Sequence, residues 1–240
     1  MTNISIITYC SNDLDELIST CKSIDEQVKK PYEHWIINCS SGTQIDEWLN
    51  ETKQPMFRKW MKLNDVGLMK AINTGIKYCE GNIIHILHSG DYLINNYVLK
   101  DISNEFEKDD ALKWVSGKLK LITKDKNLQI GKEFIKKYLH KGIEGVYQQT
   151  WFVRKDIYER VGLYNEKYIY SKEYDMLCRI SEEKYKYIDK ALVCYLDLGF
   201  TKNQYHDYLN ENLVIYESYF GRSIKARMWR LVEKLKSKFI

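Results

Sequence analysis

Proline is almost absent, two in 240 residues, and no Pro-, Gly- or Ser-rich run breaks the chain, so nothing reads as a long linker or low-complexity segment. Long apolar runs are missing as well: none approaches the roughly 18 consecutive apolar residues of a membrane-spanning helix. The opening MTNISIITYC lacks a basic stretch followed by a longer apolar run and a small-residue cleavage site, and the expectation is a protein kept in the cytoplasm. The six cysteines (10, 21, 39, 79, 178 and 194) never form a C-x-x-C pair, which argues against a zinc site or disulfide framework and for reduced, mostly buried thiols. Among the five histidines only His85 and His88 come close together; along one strand they alternate too awkwardly for a ligand pair and read as structural. There is no internal repeat.

What is present is enough for one sizeable core, with 44% hydrophobic and 29% charged residues in a chain the length of one large domain or one domain with an appendage. The net charge of +4 is unevenly spread. Residues 222 to 240 hold seven Lys/Arg against Glu233 alone, so the tail carries +6 and the rest of the chain −2.

The pattern is alternating strand and helix. ISIITY (4 to 9) is a short β-branched apolar run, followed by Asn12-Asp13 and an amphipathic segment with Leu14, Leu17, Ile18, Cys21 and Ile24 at helical spacing. HWIINC (34 to 39) repeats the theme, ended by the turn-forming SSG and a short helix marked by Ile45, Trp48 and Leu49. A third strand is expected near Met56 to Met61. A helix with Leu68, Ala71, Ile72, Gly75, Ile76 and Cys79 on one face then leads into NIIHIL. Such alternation predicts an α/β fold with a mostly parallel sheet covered by helices, in which ligands bind beyond the carboxyl ends of the strands. Tyr9, Cys39 and Asp91 all lie at such ends.

Asp91 closes the stretch HILHSGDYL. A carboxylate beside glycine after a strand can cap a turn. It can equally hold a hard cation, since Mg2+ or Mn2+ needs only one or two carboxylates when diphosphate oxygens and water complete its shell. The spacing alone leaves both open.

ISIITYCSNDLDELISTCKSI, IINCSSGT and NDVGLMKAINTGIKYCEGNIIHILHSGDYL resemble, in order and spacing, the N-terminal half of bacterial family 2 glycosyltransferases of the GT-A fold. GVYQQTWFVRKDIYERVGLYNEKYIYSKEYDMLCRI extends the resemblance to about residue 198. It implies a GT-A, Rossmann-like domain over 1–200, with a nucleotide-sugar half (1–95) and an acceptor half (96–200), followed by a helical, basic extension over 201–240. By the same resemblance Thr8 and Tyr9 hold the base of a UDP-sugar, and Asn38 stands where the family's uracil-reading acid stands. Asn keeps a carbonyl acceptor for an imide N–H. Asp65 and Gly67 are donor contacts, with a turn or N-cap role the alternative for Asp65. Ser89, Gly90 and Asp91 form the diphosphate and metal turn, which retains only its last acid. Tyr147, Gln148, Trp151 and Asp175 fall on the acceptor side, and Glu173 at the place of the catalytic base.

The implied chemistry is an inverting displacement: Mn2+ or Mg2+ at Asp91 neutralises the departing diphosphate, and Glu173 takes the acceptor's hydroxyl proton. From the residues alone, SKEYDMLCRI is also an amphipathic helix on which Glu173 is merely solvated. Trp151 and Phe152 also read as strand core residues, leaving Gln148 to face the site. Asp175 is expected to orient its neighbours.

The tail RSIKARMWRLVEKLKSKFI puts Ile224, Met228, Leu231, Leu235 and Phe239 on one stripe with basic residues elsewhere, the pattern of a helix lying on an anionic membrane. Trp229 suits a headgroup-level anchor. The alternative is a helix packed on its own domain or on a dimer partner. No stacking platform or reading motif supports a nucleic-acid role. A peripheral transferase at the inner face of the cell membrane implies a glycan or lipid-linked acceptor in bacterial surface polysaccharide synthesis. The rivals are a non-catalytic nucleotide-sugar-binding or assembly protein, and a nucleotidyltransferase. The latter is expected to carry a Gly-rich basic loop that TYCSND lacks.

Overall fold

In the computed structural model, residues 1–64, 66–122, 127–143, 145–196 and 202–237 are described. The N-terminal part alternates as expected: β1 (Ile4–Cys10), α1 (Leu14–Asp25), β2 (Glu33–Asn38), α2 (Gln44–Glu51), β3 (Arg58–Lys62), α3 (Leu68–Tyr78) and β4 (Ile83–Ile86). Then follow β5 (Tyr92–Leu93), α4 (Val98–Lys108), β6 (Trp114–Ile122), β7 (Asn127–Ile130), β8 (Phe152–Arg154), α5 (Lys155–Val161), α6 (Lys172–Ile180) and β9 (Tyr185–Leu196). Two helices, α7 (Lys202–Phe220) and α8 (Ile224–Lys236), close the described chain.

The nine strands of the described residues join one sheet in the order β3-β2-β1-β4-β8-β6-β9-β5, with β7 added to β6. β3, β2, β1 and β4 run parallel, because each crossover is a helix. β8 then joins β4 and β6 antiparallel, while β6 and β9 pair parallel over a bulge. The third strand begins two residues after the expected Met56 because Pro55 and the turn it starts delay pairing until Arg58.

Successive strand residues point to opposite faces, and the apolar runs divide accordingly. Ile7, Ile37 and Ile84 pack with α3, α5 and α6 on one face, whereas Ile6 and Ile83 pack with α4 on the other and Ile36 with α1 and α2. Both faces are thus covered, which is why β1, β2 and β4 read as continuous apolar segments. Gly75 lets α3 close on β1. A Cβ there would sit 2.7 Å from Ile7 Cγ2, an overlap that costs about 1–3 kcal/mol when the core must shift to absorb it.

The parallel strands end together. Cys39 N donates to the Cys10 carbonyl at 2.9 Å, Leu87 N to Ile7 at 2.9 Å and Ser89 N to Tyr9 at 3.0 Å. Five cysteines are buried and Cys39 is half-buried.

Candidate active site

The turn after β4 sets the site. His88 to Asp91 is closed by Asp91 N donating to the His88 carbonyl at 3.0 Å, with Gly90 in the left-handed region at φ +93°, which favours glycine. Thr20 of α1 braces it: Thr20 Oγ1 accepts from Gly90 N at 3.0 Å and donates to the Asp91 carbonyl at 2.7 Å. The Asp91 side chain is only 4% exposed. Its Oδ2 and Ser89 Oγ are buried with no hydrogen-bond partner among the described residues. Burial, with the charge of Glu16 added, pushes the Asp91 carboxyl up to about 8. A turn-capping carboxylate would spend its oxygens on backbone N–H groups. This one holds Oδ2 in reserve, and an orphaned carboxylate oxygen beside an orphaned hydroxyl fits a hard divalent cation.

Around that turn the strand ends bring the expected donor residues together in different ways. Tyr9 is half-buried and meets His88 edge-on, ring centroids 6.4 Å apart. Thr8 is fully buried, its Oγ1 2.9 Å from His34 Nε2, so its backbone and not its hydroxyl lies at the strand end. Asn38 is likewise fully buried and committed: Oδ1 accepts from Ser40 N at 2.9 Å and Nδ2 donates to Asp46 Oδ1 at 2.8 Å. The side chains presented beside it are Asp46 and its ion-pair partner Lys62. Gly67 caps the start of α3 with open space where a Cβ would stand. Asp65 lies outside the described residues.

The acceptor-side residues divide more sharply. Tyr147 is half-buried at the start of a 3-10 turn, Gln148–Thr150, and Gln148 is 6% exposed. Trp151 is 1% exposed, edge-on to Trp114 at 5.5 Å, and its carbonyl lies 2.9 Å from His85 Nδ1. Trp151 and Phe152 are therefore core residues, as one of the two sequence readings had it, and no indole face is offered to a sugar. Asp175 is also internal: Arg179 grips Oδ2 with Nε and Nη2 at 3.1 and 2.7 Å, and the Tyr219 hydroxyl donates to Oδ1 at 2.8 Å. It ties α6 to α7.

Glu173 is in the first turn of α6, its side chain 24% exposed and 3.4 Å from Lys172 Nζ. Burial of His88, with the charge of Lys172 at the start of α6 added, holds that imidazole down to about 4. Glu211 of α7, which no local motif marks, fixes this start. Its carboxylate accepts from Ile169 N at 3.1 Å and from Tyr170 N and Ser171 N at 2.9 Å each. Ser171 Oγ adds a bond to the Tyr208 carbonyl at 3.2 Å. Glu211→Ala strips an acceptor from three backbone donors and is expected to cost about 1–3 kcal/mol, read as a lower denaturant midpoint with unchanged slope.

The buried histidines make a second prediction. His34 and His85 are fully buried; burial holds His85 down to about 4, and burial with the neighbouring Arg58 charge holds His34 well below its usual range. Unfolded imidazoles titrate near about 6.5, so between pH 6.5 and 4 the unfolded chain binds more protons and stability falls as the pH drops. The melting temperature is expected to decline over that window, and a flat profile would contradict the assignment of two buried neutral rings.

Comparison with known proteins gives the family and the fold. Residues 5–162 match the model of glycosyl transferase family 2. Uncharacterized glycosyltransferases from two strains of Mycobacterium tuberculosis are 36% identical over 89 residues, 37% of this chain. The match spans only 34% of the length of these relatives. Among solved structures, S. aureus TarS 1-349 in complex with UDP-GlcNAc superposes with a TM-score of 0.69 at 15% identity, over 99% of this chain and 72% of that one. Of the longer TarS chain the match covers 43%. The mannosyltransferase PcManGT from Pyrobaculum calidifontis, in complex with GDP-Man and Mn2+, gives 0.67 at 12% identity, over 97% and 69%. The expected GT-A α/β fold is the one observed.

Proposed function

Because the chain belongs to glycosyl transferase family 2, we propose that it moves a hexosyl or N-acetylhexosaminyl group from a UDP-sugar to a hydroxyl of a glycan acceptor, with inversion and with Mn2+ or Mg2+. The observation that carries this reading is the buried Asp91 carboxylate with Oδ2 unpartnered at the strand ends. The UDP and UDP-GlcNAc complexes of TarS support the choice of nucleotide.

In this reading Tyr9 offers a ring to the base, the loop organised by Asn38 borders it, and the backbone of Thr8 and Gly67 leaves room for the nucleotide. Asp91 and Ser89 would hold the cation, and the turn they form with Gly90 borders the diphosphate end. When bound, that cation supplies positive charge against the charge growing on the departing diphosphate. Glu173 takes the proton of the attacking hydroxyl while the oxygen bonds to the anomeric carbon and the bond to the diphosphate breaks on the opposite side. One base and no covalent nucleophile give inversion. Gln148 and Tyr147 border the acceptor, and Asp175 acts by holding α6. Incubating the protein with Mn2+, a panel of UDP-sugars and a polyprenyl-diphosphate-linked sugar tests this; sugar transfer to the lipid-linked acceptor is expected, and no transfer from any UDP-sugar to any glycan would overturn it.

The acceptor is proposed to be lipid-linked, at the inner face of a bacterial membrane, in surface polysaccharide synthesis. Supporting this, α8 packs on α7 through buried Ala226 and bonds such as Arg230 Nη1 to Asn210 Oδ1 at 2.9 Å. Its stripe still faces outward, with Ile224, Met228, Leu231 and Leu235 all exposed, 80% for Ile224. Trp229 is half-buried, with Lys141 Nζ 4.4 Å above its ring; Phe239 and Lys238 lie outside the described residues. One face of α8 thus packs on α7, as the alternative reading of the tail expected, while the apolar stripe is exposed. An apolar stripe flanked by lysine and arginine favours anionic lipid. Deleting residues 222 to 240 is expected to release the protein from phosphatidylglycerol vesicles in a flotation assay, and unchanged flotation would contradict the membrane role.

A further inference from the structure

The turn after β4 brings one acid of its own, yet a second carboxylate reaches it from α1. Asp13 caps this helix, its Oδ1 accepting from Glu16 N at 2.9 Å. Four residues on, Thr20 bonds Gly90 N and the Asp91 carbonyl. Residues four apart share a helix face, and helical side chains lean towards the N-terminus, so Glu16 lies one turn from Thr20 along the same stripe. The carboxylate follows that geometry. A Cβ placed on Gly90 would stand 3.3 Å from both Glu16 Cδ and Oε2, which puts the carboxylate against the backbone of the turn.

This arrangement sets an exposed acid, Glu16, beside a buried one, Asp91. Two acids share one turn, Asp91 Oδ2 and Ser89 Oγ are buried without partners, and among the described residues no lysine or arginine pairs with Glu16. Like charges held together disfavour their joint ionisation unless a cation offsets them. A hard divalent ion does so with oxygen ligands from one or two carboxylates, a hydroxyl and water, leaving positions for phosphate.

We propose that Glu16 is the second protein carboxylate of the divalent-cation site, holding Mn2+ or Mg2+ from the α1 side opposite Asp91, with Ser89 Oγ as a neutral oxygen of the same site. The inference rests on the reading of Asp91 as a cation ligand. It assigns to a helix residue the acid that the Ser89-Gly90-Asp91 turn lacks. A plainer role for Glu16 is that of a first-turn acid favoured by the helix dipole. Asp15, in the same turn and, like Glu16, exposed, serves that role equally and is the control.

Mn2+ binding to the full chain, followed by electron paramagnetic resonance with and without UDP, separates these roles without an activity assay. Glu16→Gln is expected to weaken Mn2+ binding by at least about tenfold and to shrink the rise in melting temperature that Mn2+ produces, while Asp15→Asn matches the wild type. Metal-free Glu16→Gln should melt no lower than the wild type, which certifies its fold. Wild-type Mn2+ affinity in Glu16→Gln, with binding lost in Asp91→Asn, overturns the role of Glu16 and leaves that of Asp91 standing. Absence of Mn2+ binding by the wild type overturns both.

Discussion

Glu173→Gln is expected to lower the turnover number by about 10²–10⁴-fold, the usual contribution of a positioned general base, while UDP and Mn2+ bind as before. The separation follows from the structure. Glu173 stands on α6 and Asp91 after β4, and among the described residues Glu173 forms an ion pair with neighbouring Lys172 at 3.4 Å. A partly exposed pair of this kind is worth about 0–1 kcal/mol, so glutamine, which keeps the shape and loses the basicity, leaves the fold intact. Steady-state kinetics with a transferred sugar and calorimetry with UDP read the two effects independently. Near-normal turnover with intact UDP binding would remove Glu173 from the chemistry and return it to the solvated helix residue that its local sequence also allows.

Asp91→Asn is expected to weaken Mn2+-dependent UDP binding on the order of a hundredfold, the scale lost with a single pre-organised electrostatic group in a water-excluded site. The variant keeps its shape, and Asp91 Oδ2 has no partner among the described residues to lose, so the metal-free protein should melt no lower than the wild type. Titrating UDP with and without Mn2+ into both proteins checks it. Equal metal dependence in the two would show that the buried carboxylate serves only the turn.

The first half of the fold is legible because its physics is local. β1, β2 and β4 are buried on both faces and so read as short β-branched runs, and α1 and α3 carry their apolar residues at helical spacing. Beyond Asp91 the local signal fails. β5 has two residues, β8 three, and β9 alternates charged with aromatic and apolar residues over YKYIDKALVCYL. β6 and β9 pair in parallel although about 70 positions separate them, and no sequence period encodes such pairing.

The site divides along the same line. A carboxylate after a buried strand marks Asp91, and the family pattern marks Glu173. Their supports lie elsewhere in the chain: Thr20 reaches Asp91 across 71 positions and Glu211 reaches Ser171 across 40. Local pattern also misplaces side chains that face inward. Thr8 and Asn38 sit at the predicted strand ends, yet His34 and Asp46 occupy their polar groups, while Trp151 sits in the core against Trp114. In each case the residue's position was legible, while the direction of its side chain was set by a partner that the local pattern does not reveal, close in sequence for Asn38 and distant for Thr8 and Trp151.

The central claim is a metal-dependent UDP-sugar site at the ends of β1, β2 and β4, and the most direct measurement is calorimetric titration of the intact protein with UDP, with GDP and dTDP as controls, in the presence and absence of Mn2+. Binding of UDP that requires Mn2+ and exceeds that of the other two nucleotides is the expected result. If no nucleotide binds in either condition, the fold stands but the transferase reading is contradicted, and a non-catalytic assembly role takes its place.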